Sequence, residues 1–514
     1  MRCTEETVTP TKRIDKKATE HNCVLACHFE EFAIARVPAC GPGPTQLAAF
    51  PLCSELLRES SIDRMDRVTL LGLPDDALLR VLAYLPLREL FVCRQVCRRF
   101  RSLCLHPDLW RYVWLPQSLV RAALSLAPCL AGFVGCLGDG LPMKEVAAAV
   151  AGTACVVDDL RLTLVEQEDV PLAEDVIRQL AAVGGVRILY LHTGCTTRTA
   201  SIIEVVYSLD NLQELVIEAG APLPAACNNV KVRSHLTRLE YVRKTHAPAI
   251  PADTLDPFFL QLVATHASTL EHVYVDFPFE VVVPMSLLAG IRGLRQLTCS
   301  LNEGMPQLLS LPDLVSVDFW SCDGGDLAPP GALDFLRQSS QLRTARLPDD
   351  DTAALVALSE SRSAGVLTSL SFRGACVDDD APLLTSLAAV LPRFPSLAEL
   401  QMFAEPSADL LRAISPTSAP HLTRLTVLAP SDRCRHAWLH EPGIQDLLRR
   451  NSSLHLCVQF SLHGGDPKDC DCSWCLCKCG WCSWGCHSDL YSGGFRKFAS
   501  HARGAGCSVN CYQV

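Results

Sequence analysis

The sequence has no surplus of positive charge and no long apolar run. Lys+Arg 46 stand against Asp+Glu 56, leaving a net charge of −10. A nucleic-acid surface needs basic patches to displace counterions, so no nucleic-acid partner is expected. A long uncharged run, 122–137, is broken by Pro128 and is shorter than the roughly 20 residues that a spanning helix needs. It reads as a buried segment, and no transmembrane segment is expected. The first 22 residues carry charges but no apolar core of a secretory signal. Without a secretory route, the 27 cysteines read as reduced thiols or metal ligands rather than a disulfide framework. A cytoplasmic and/or nuclear setting follows. No recognised nucleophile or metalloprotease motif is present, so no catalytic residue is assigned.

What is present is most specific at residues 70–115. Pro74 suits the first turn of a helix, where no backbone donor is needed, and Asp75 and Asp76 favour its positive end. From Leu78 the apolar residues Val81, Leu82 and Leu85 recur at steps of three and four, until Pro86 forbids continuation. Leu87–Val96 and Cys97–Leu105 give two further short amphipathic segments, and Leu109 with Trp110 close the unit. Three short helices make a very small core, which gains by lending surface leucines to a partner.

The ordered set Leu73, Pro74, Leu78, Val81, Leu82, Leu85, Pro86, Leu90, Val96, Cys97, Leu103, Leu109 and Trp110 resembles an F-box. Phe100 stands where that family more often has Trp. The resemblance implies that these residues bind a Skp-type adaptor, which joins an F-box protein to a cullin scaffold and a RING subunit in an SCF ubiquitin ligase.

The larger part of the chain repeats itself. VRILYL at 186, LQELVI at 212, LTRLEY at 236, LEHVYV at 270 and LRQLTC at 294 are followed by LVSVDF at 314, LRTARL at 342, LTSLSF at 367, LAELQM at 397 and LTRLTV at 422. Weaker copies lie near Asp158 and Leu454. The mean period of about 26 residues lies in the leucine-rich-repeat range. Helical patterns, such as 174–183, 256–265, 381–391, 408–414 and 444–450, stand between the copies. One strand and one helix cannot bury their apolar faces alone, whereas stacked copies can. The expected fold class is therefore α/β: a three-helix F-box followed by a solenoid with parallel strands concave and helices convex. This array resembles the leucine-rich repeats of F-box proteins, although only Asn302 and Cys322 fill the usual Asn/Cys slot and Gly194 and Gly220 occupy it elsewhere.

In L-x-x-L-x-L the leucines turn to one side of the strand and the intervening residues to the other. Early copies then present Tyr190, His192, Glu214, Glu218, Glu240, His272, Tyr274, Asp276 and Asp318, a face weighted towards acid. Later copies present Trp320, Arg346, Arg373, Phe403 and Arg424. Of these, Tyr190, Glu214, Glu218, Tyr274, Asp276, Trp320, Arg346, Arg373 and Phe403 are the candidate substrate-binding residues, with a basic part of the target expected near the acidic repeats.

The two ends differ from the rest. Residues 1–64 lack a periodic apolar pattern and read as a flexible segment. Nine cysteines lie in 470–514. Cys472-x-x-Cys475 and Cys479-x-x-Cys482 look like zinc half-sites, but three intervening residues are too few for the usual finger or ribbon. Zinc binding, a thiol-rich tail and acylated attachment all stay open; the terminal Cys511–Val514 gives a weak outline of a prenylation box, with Gln513 off pattern. The expected organisation is thus 1–64 flexible, 65–115 F-box, 116–155 helical connector, 156–462 repeat array and 463–514 cysteine-rich tail. The function implied is noncatalytic substrate recognition in an SCF-type ligase, recruiting an unidentified target protein for ubiquitination. A non-ubiquitinating scaffold, or a metal or redox sensor using the tail, stands as the alternative.

Overall fold

The computed structural model describes residues 70–135, 141–194, 200–221, 223, 234–244, 255–278, 281–320, 328–348, 351–373, 381–428, 438–460, 496–501 and 512–513. The flexible segment expected over 1–64 lies outside the described residues. So do Cys322, Cys472, Cys475, Cys479, Cys482, Cys511 and Val514.

Prolines set the first two helices. Pro74 caps α1 (Asp75–Leu82) and Pro86 caps α2 (Leu87–Cys93), each with an extended ψ that leads into the first turn. The thiol of Cys97 accepts from the Phe100 amide at 3.4 Å and caps α3 (Arg98–Leu103). The first helix ends at Leu82, short of Leu85, because Tyr84 and Leu85 donate to carbonyls three residues back and tighten the chain before Pro86. Leu78, Leu82, Leu90, Phe100, Leu103, Leu109 and Trp110 form the interior of this small unit. The Trp110 indole donates to the Cys104 carbonyl at 2.8 Å, and its ring lies 5.6 Å from that of Phe91.

Immediately beyond it a sheet begins, with β1 (Trp114–Leu115), β2 (Cys129–Gly135), β3 (Val156–Leu164), β4 (Ile188–Thr193) and β5 (Glu214–Ala219). It continues through β6 (Arg238–Arg243), β7 (His272–Asp276), β8 (Gln296–Ser300), β9 (Ser316–Trp320) and β10 (Thr344–Pro348). The next members are β11 (Ser369–Arg373), β12 (Glu399–Gln401), β13 (Arg424–Leu428) and β14 (His455–Phe460). These strands follow chain order, each parallel to the next, with helices in most of the connections. Each of the ten L-x-x-L-x-L copies contributes one strand, and the weaker copies near Asp158 and Leu454 supply β3 and β14.

Register converts the sequence repeat into a core. Leu160, Leu189, Leu215, Leu239, Val273, Leu297, Val317, Ala345, Leu370, Leu400, Leu425 and Leu456 are successive partners across the sheet, and all are buried. That ladder packs towards the helices and belongs to one apolar cluster running from Leu78 to Val458. Removal of such a ladder from water is the main stabilising term of a stacked array.

Two boundaries differ from expectation. The connector expected over 116–155 does contain helices, but it also contains β2, paired with β1 and β3. The sheet therefore begins at Trp114, because the alternating burial of Cys129–Gly135 fits a strand within the uncharged run. At the other end, β15 (Arg496–His501) pairs antiparallel with β14, and β16 (Tyr512–Gln513) pairs parallel with β15. The tail thus adds backbone to the sheet edge, which would otherwise present unpaired amides and carbonyls. In the post-strand slot, Asn302 accepts from the Gly304 amide at 2.9 Å, whereas at Gly220 an added Cβ would lie 3.0 Å from the Gly194 backbone. Close backbone approach explains the glycines where an Asn ladder is missing.

Candidate functional site

Two surfaces stand out, one on the helical unit and one on the sheet face opposite the core ladder. On the helical unit, the expected adaptor-binding residues divide into two groups. Leu78, Leu82, Leu90, Leu109 and Trp110 are buried in the unit's own core, with Leu78 only 1% exposed; Leu73 and Leu85 are half-buried. Pro74, Val81, Pro86 and Val96 are exposed. Leu78, expected among the adaptor-binding residues, closes the unit's own interior. A three-helix unit needs its i, i+4 leucine stripe to close its own interior.

What the unit does offer is a different apolar set: Leu70, Val81, Tyr84, Val92, Val96 and Tyr112. Ten large apolar side chains are exposed among the described residues, and these six fall within 70–112. Tyr84 is 88% exposed. Covering these side chains with a partner would remove apolar surface from water. Leu70, Tyr84, Val92 and Tyr112 were not among the residues expected from the sequence; Val92 lies off the buried stripe of α2, and the other three stand outside the three helices. Arg99 holds the unit's entrance by donating to Asp75 at 2.6 Å and to the Leu73 carbonyl at 2.6 Å.

On the sheet, the residues between the leucines form ladders of their own. Arg161, Tyr190, Val216, Glu240, Tyr274 and Thr298 are successive partners, as are Thr163, His192, Glu218, Val242 and Asp276. The alternation therefore puts Tyr190, Glu218, Tyr274 and Asp276 on the expected side, but not all are open to solvent. Tyr190 and Glu218 are buried, 7% and 5% exposed.

Glu218 is enclosed by donors. The Tyr190 hydroxyl donates at 2.5 Å, His192 Nδ1 lies at 2.6 Å and Lys244 Nζ at 2.7 Å. Burial alone raises a carboxyl's pKa, but hydrogen bonds from His192, Lys244 and Tyr190 outweigh it and bring Glu218 down to about 2. Its charge is spent within the chain, as is much of the acid-to-base gradient expected along this face. Asp318 is likewise held by Arg373 at 2.6 Å and lies 3.5 Å from Arg346, which also donates to Ser371 at 3.1 Å. Arg373 lies over the Trp320 ring at 5.2 Å, and Trp320 meets Tyr274 with ring centroids 5.5 Å apart. Burial works to lower the Arg373 pKa, but the Asp318 carboxylate outweighs it and raises it.

The structure thus brings Tyr190 and Glu218 together in one network, and Tyr274, Trp320, Arg346 and Arg373 in another. Asp276 lies between them, half-buried. Burial pushes its carboxyl up to about 6, while Arg373 and Lys244 pull it down and Glu218 pushes it up. Glu214 and Phe403 are half-buried. Lys244, which follows β6, was missed because it falls outside the repeat pattern.

Among the described residues no group of three or more His, Cys, Asp or Glu side chains could hold a metal ion, and Cys93, Cys97, Cys104, Cys129 and Cys155 form no disulfide there. No described helix is long and apolar enough to cross a membrane.

The helical unit stands at one end of an α/β repeat array. Comparison with protein families sharpens the first part: residues 70–112 match the F-box domain. The chain therefore carries an F-box, which implies binding to a Skp-type adaptor and, in general, a substrate-recognition role in SCF complexes. F-box proteins are generally noncatalytic adaptors of ubiquitin ligases.

Proposed function

We propose that this chain is the substrate receptor of an SCF-type ubiquitin ligase, with the F-box as its ligase-facing end and the helix-free sheet face as its target-binding end. The sheet is read as a leucine-rich-repeat array, which the 26-residue spacing and the continuous apolar ladder support. The target is a protein to be ubiquitinated, and the chain acts in the cytoplasm and/or nucleus. It contributes no catalytic residue and needs no cofactor. A tethered target lysine held near an activated thioester reacts at a raised effective concentration, so positioning alone accelerates transfer.

The observation that carries this reading is the match at 70–112 combined with six exposed large apolar side chains on that same short unit. Adaptor docking would remove them from water, and burying one such side chain is worth about 1.5–3 kcal/mol. The test is copurification of adaptor, cullin and RING subunit with the full chain. Substituting Tyr84→Asp and Val92→Asp together should abolish it while the repeat array stays folded. Undiminished copurification would remove the F-box surface from the account.

A further inference from the structure

We infer that Asp276 is the anchoring point for a basic side chain, lysine or arginine, of the target protein. This rests on the target-binding reading of the sheet face and names the chemistry it selects.

Among the acids on the central part of this face, Glu218, Glu240 and Asp318 have their donors already, Glu240 from Arg238 at 2.9 Å. Glu218 accepts from Tyr190, His192 and Lys244, and Asp318 accepts from Arg373. Asp276 accepts no hydrogen bond from any described residue, although it is half-buried at the end of β7. An ionised carboxylate offers about four acceptor sites and no donor, so partial burial without donors is costly. A donor carrying positive charge would satisfy it best, since charge-assisted bonds are the strongest of their kind.

The surroundings favour a cation over a neutral donor. The groups acting on Asp276 are Lys244 beyond β6, Arg373 on β11 and Glu218 on β5, with Tyr274 on its own strand. Lys244 is matched by Glu218 at 2.7 Å and Arg373 by Asp318 at 2.6 Å. Lys244 and Arg373 each have a closer acid, so among the described residues they act on Asp276 only at longer range, without a hydrogen bond to it. The stem of an incoming lysine or arginine can lie along the Tyr274–Trp320 aromatic pair, whose rings are held 5.5 Å apart. Because burial holds the carboxyl near 6, anchoring should weaken as the pH falls from 7.5 to 5.5, when the acid takes up its proton.

The experiment uses the full chain, immobilised, and a positional-scanning library of nine-residue peptides with one fixed residue at a time. At pH 7.5 the chain should enrich peptides with Lys or Arg at one position by about tenfold or more over norleucine or Gln, the scale of one charge-assisted hydrogen bond. Asp276→Asn should lose that preference without a lowered thermal transition, and lowering the pH to 5.5 should reduce it in the unsubstituted chain only. A preference retained by Asp276→Asn, or no Lys/Arg preference at all, overturns the inference. Enrichment of peptides for other residues would overturn it while leaving the receptor role standing. A Lys/Arg preference that depends on Asp276, in a chain whose bound proteins are not turned over, would support the site and count against the receptor role.

Discussion

Glu218 and Asp276 occupy the same ladder with Val242 between them, yet the structure drives them in opposite directions. Glu218, brought from an ordinary 4.5 to about 2, is stabilising above pH 4.5, and that contribution is lost as the pH falls through about 2. Glu218→Gln should lower stability at pH 7 by about 1–3 kcal/mol, since it leaves buried donors poorly matched. Thermal unfolding at pH 7 and pH 2.5 checks this: the deficit should shrink at the lower pH, and an equal deficit would point to packing instead. Asp276, raised from 3.8 to about 6, behaves oppositely. Its folded form holds the proton more tightly, so its contribution is complete below about pH 4 and is lost as the pH rises through about 6. Asp276→Asn should raise stability at pH 7.5 by about 1–3 kcal/mol, discounted for partial exposure, and the gain should vanish at pH 4. A destabilised variant at pH 7.5 would contradict the assignment of an undersupplied carboxylate.

At the scale of elements, the F-box helices separate structure from recognition more sharply than their sequence does. Leu78→Ala should cost about 2–5 kcal/mol of folding stability, the usual range for a buried leucine, and should affect adaptor affinity only through unfolding. Val96→Asp should leave the thermal transition in place and weaken adaptor binding, which calorimetric titration against the adaptor reads directly. On the sheet, Gly132 lies where an added Cβ would stand 2.4 Å from the Asp159 carbonyl and 3.1 Å from the Trp114 ring. Gly132→Ala should therefore spread β2 from β3 and destabilise the junction by about 1–3 kcal/mol, measurable as early hydrogen exchange in Cys129–Gly135.

The same elements show what sequence reveals. The ten strands were legible because period-2 alternation is a local property, repeated often enough to fix its own register. The helices starting after Pro74 and Pro86 were legible from backbone sterics alone. β2 was not, because an uncharged run of strand and helix carries no alternation by which to tell them apart. The site divides likewise. Alternation placed Tyr190, Glu218, Tyr274 and Asp276 on one face, but whether a carboxylate there is open or satisfied depends on Lys244 and Arg373, which come from elsewhere in the chain. Pattern marked Leu78 as important without distinguishing a core leucine from a docking one.

Over the whole molecule, the two surfaces lie on one continuous apolar framework, since the cluster that begins at Leu78 in the F-box extends to Val458 in β14. A target held on the sheet would thus be carried at a defined position relative to whatever binds the F-box, which is what positioning for transfer requires. The most direct measurement of this account is the half-life of proteins bound to the sheet face, compared between cells carrying the full chain and cells carrying Tyr84→Asp, Val92→Asp. At least one bound protein should remain bound to the variant and become longer-lived. Bound proteins with unchanged half-lives, in a variant that has lost the adaptor, would contradict it.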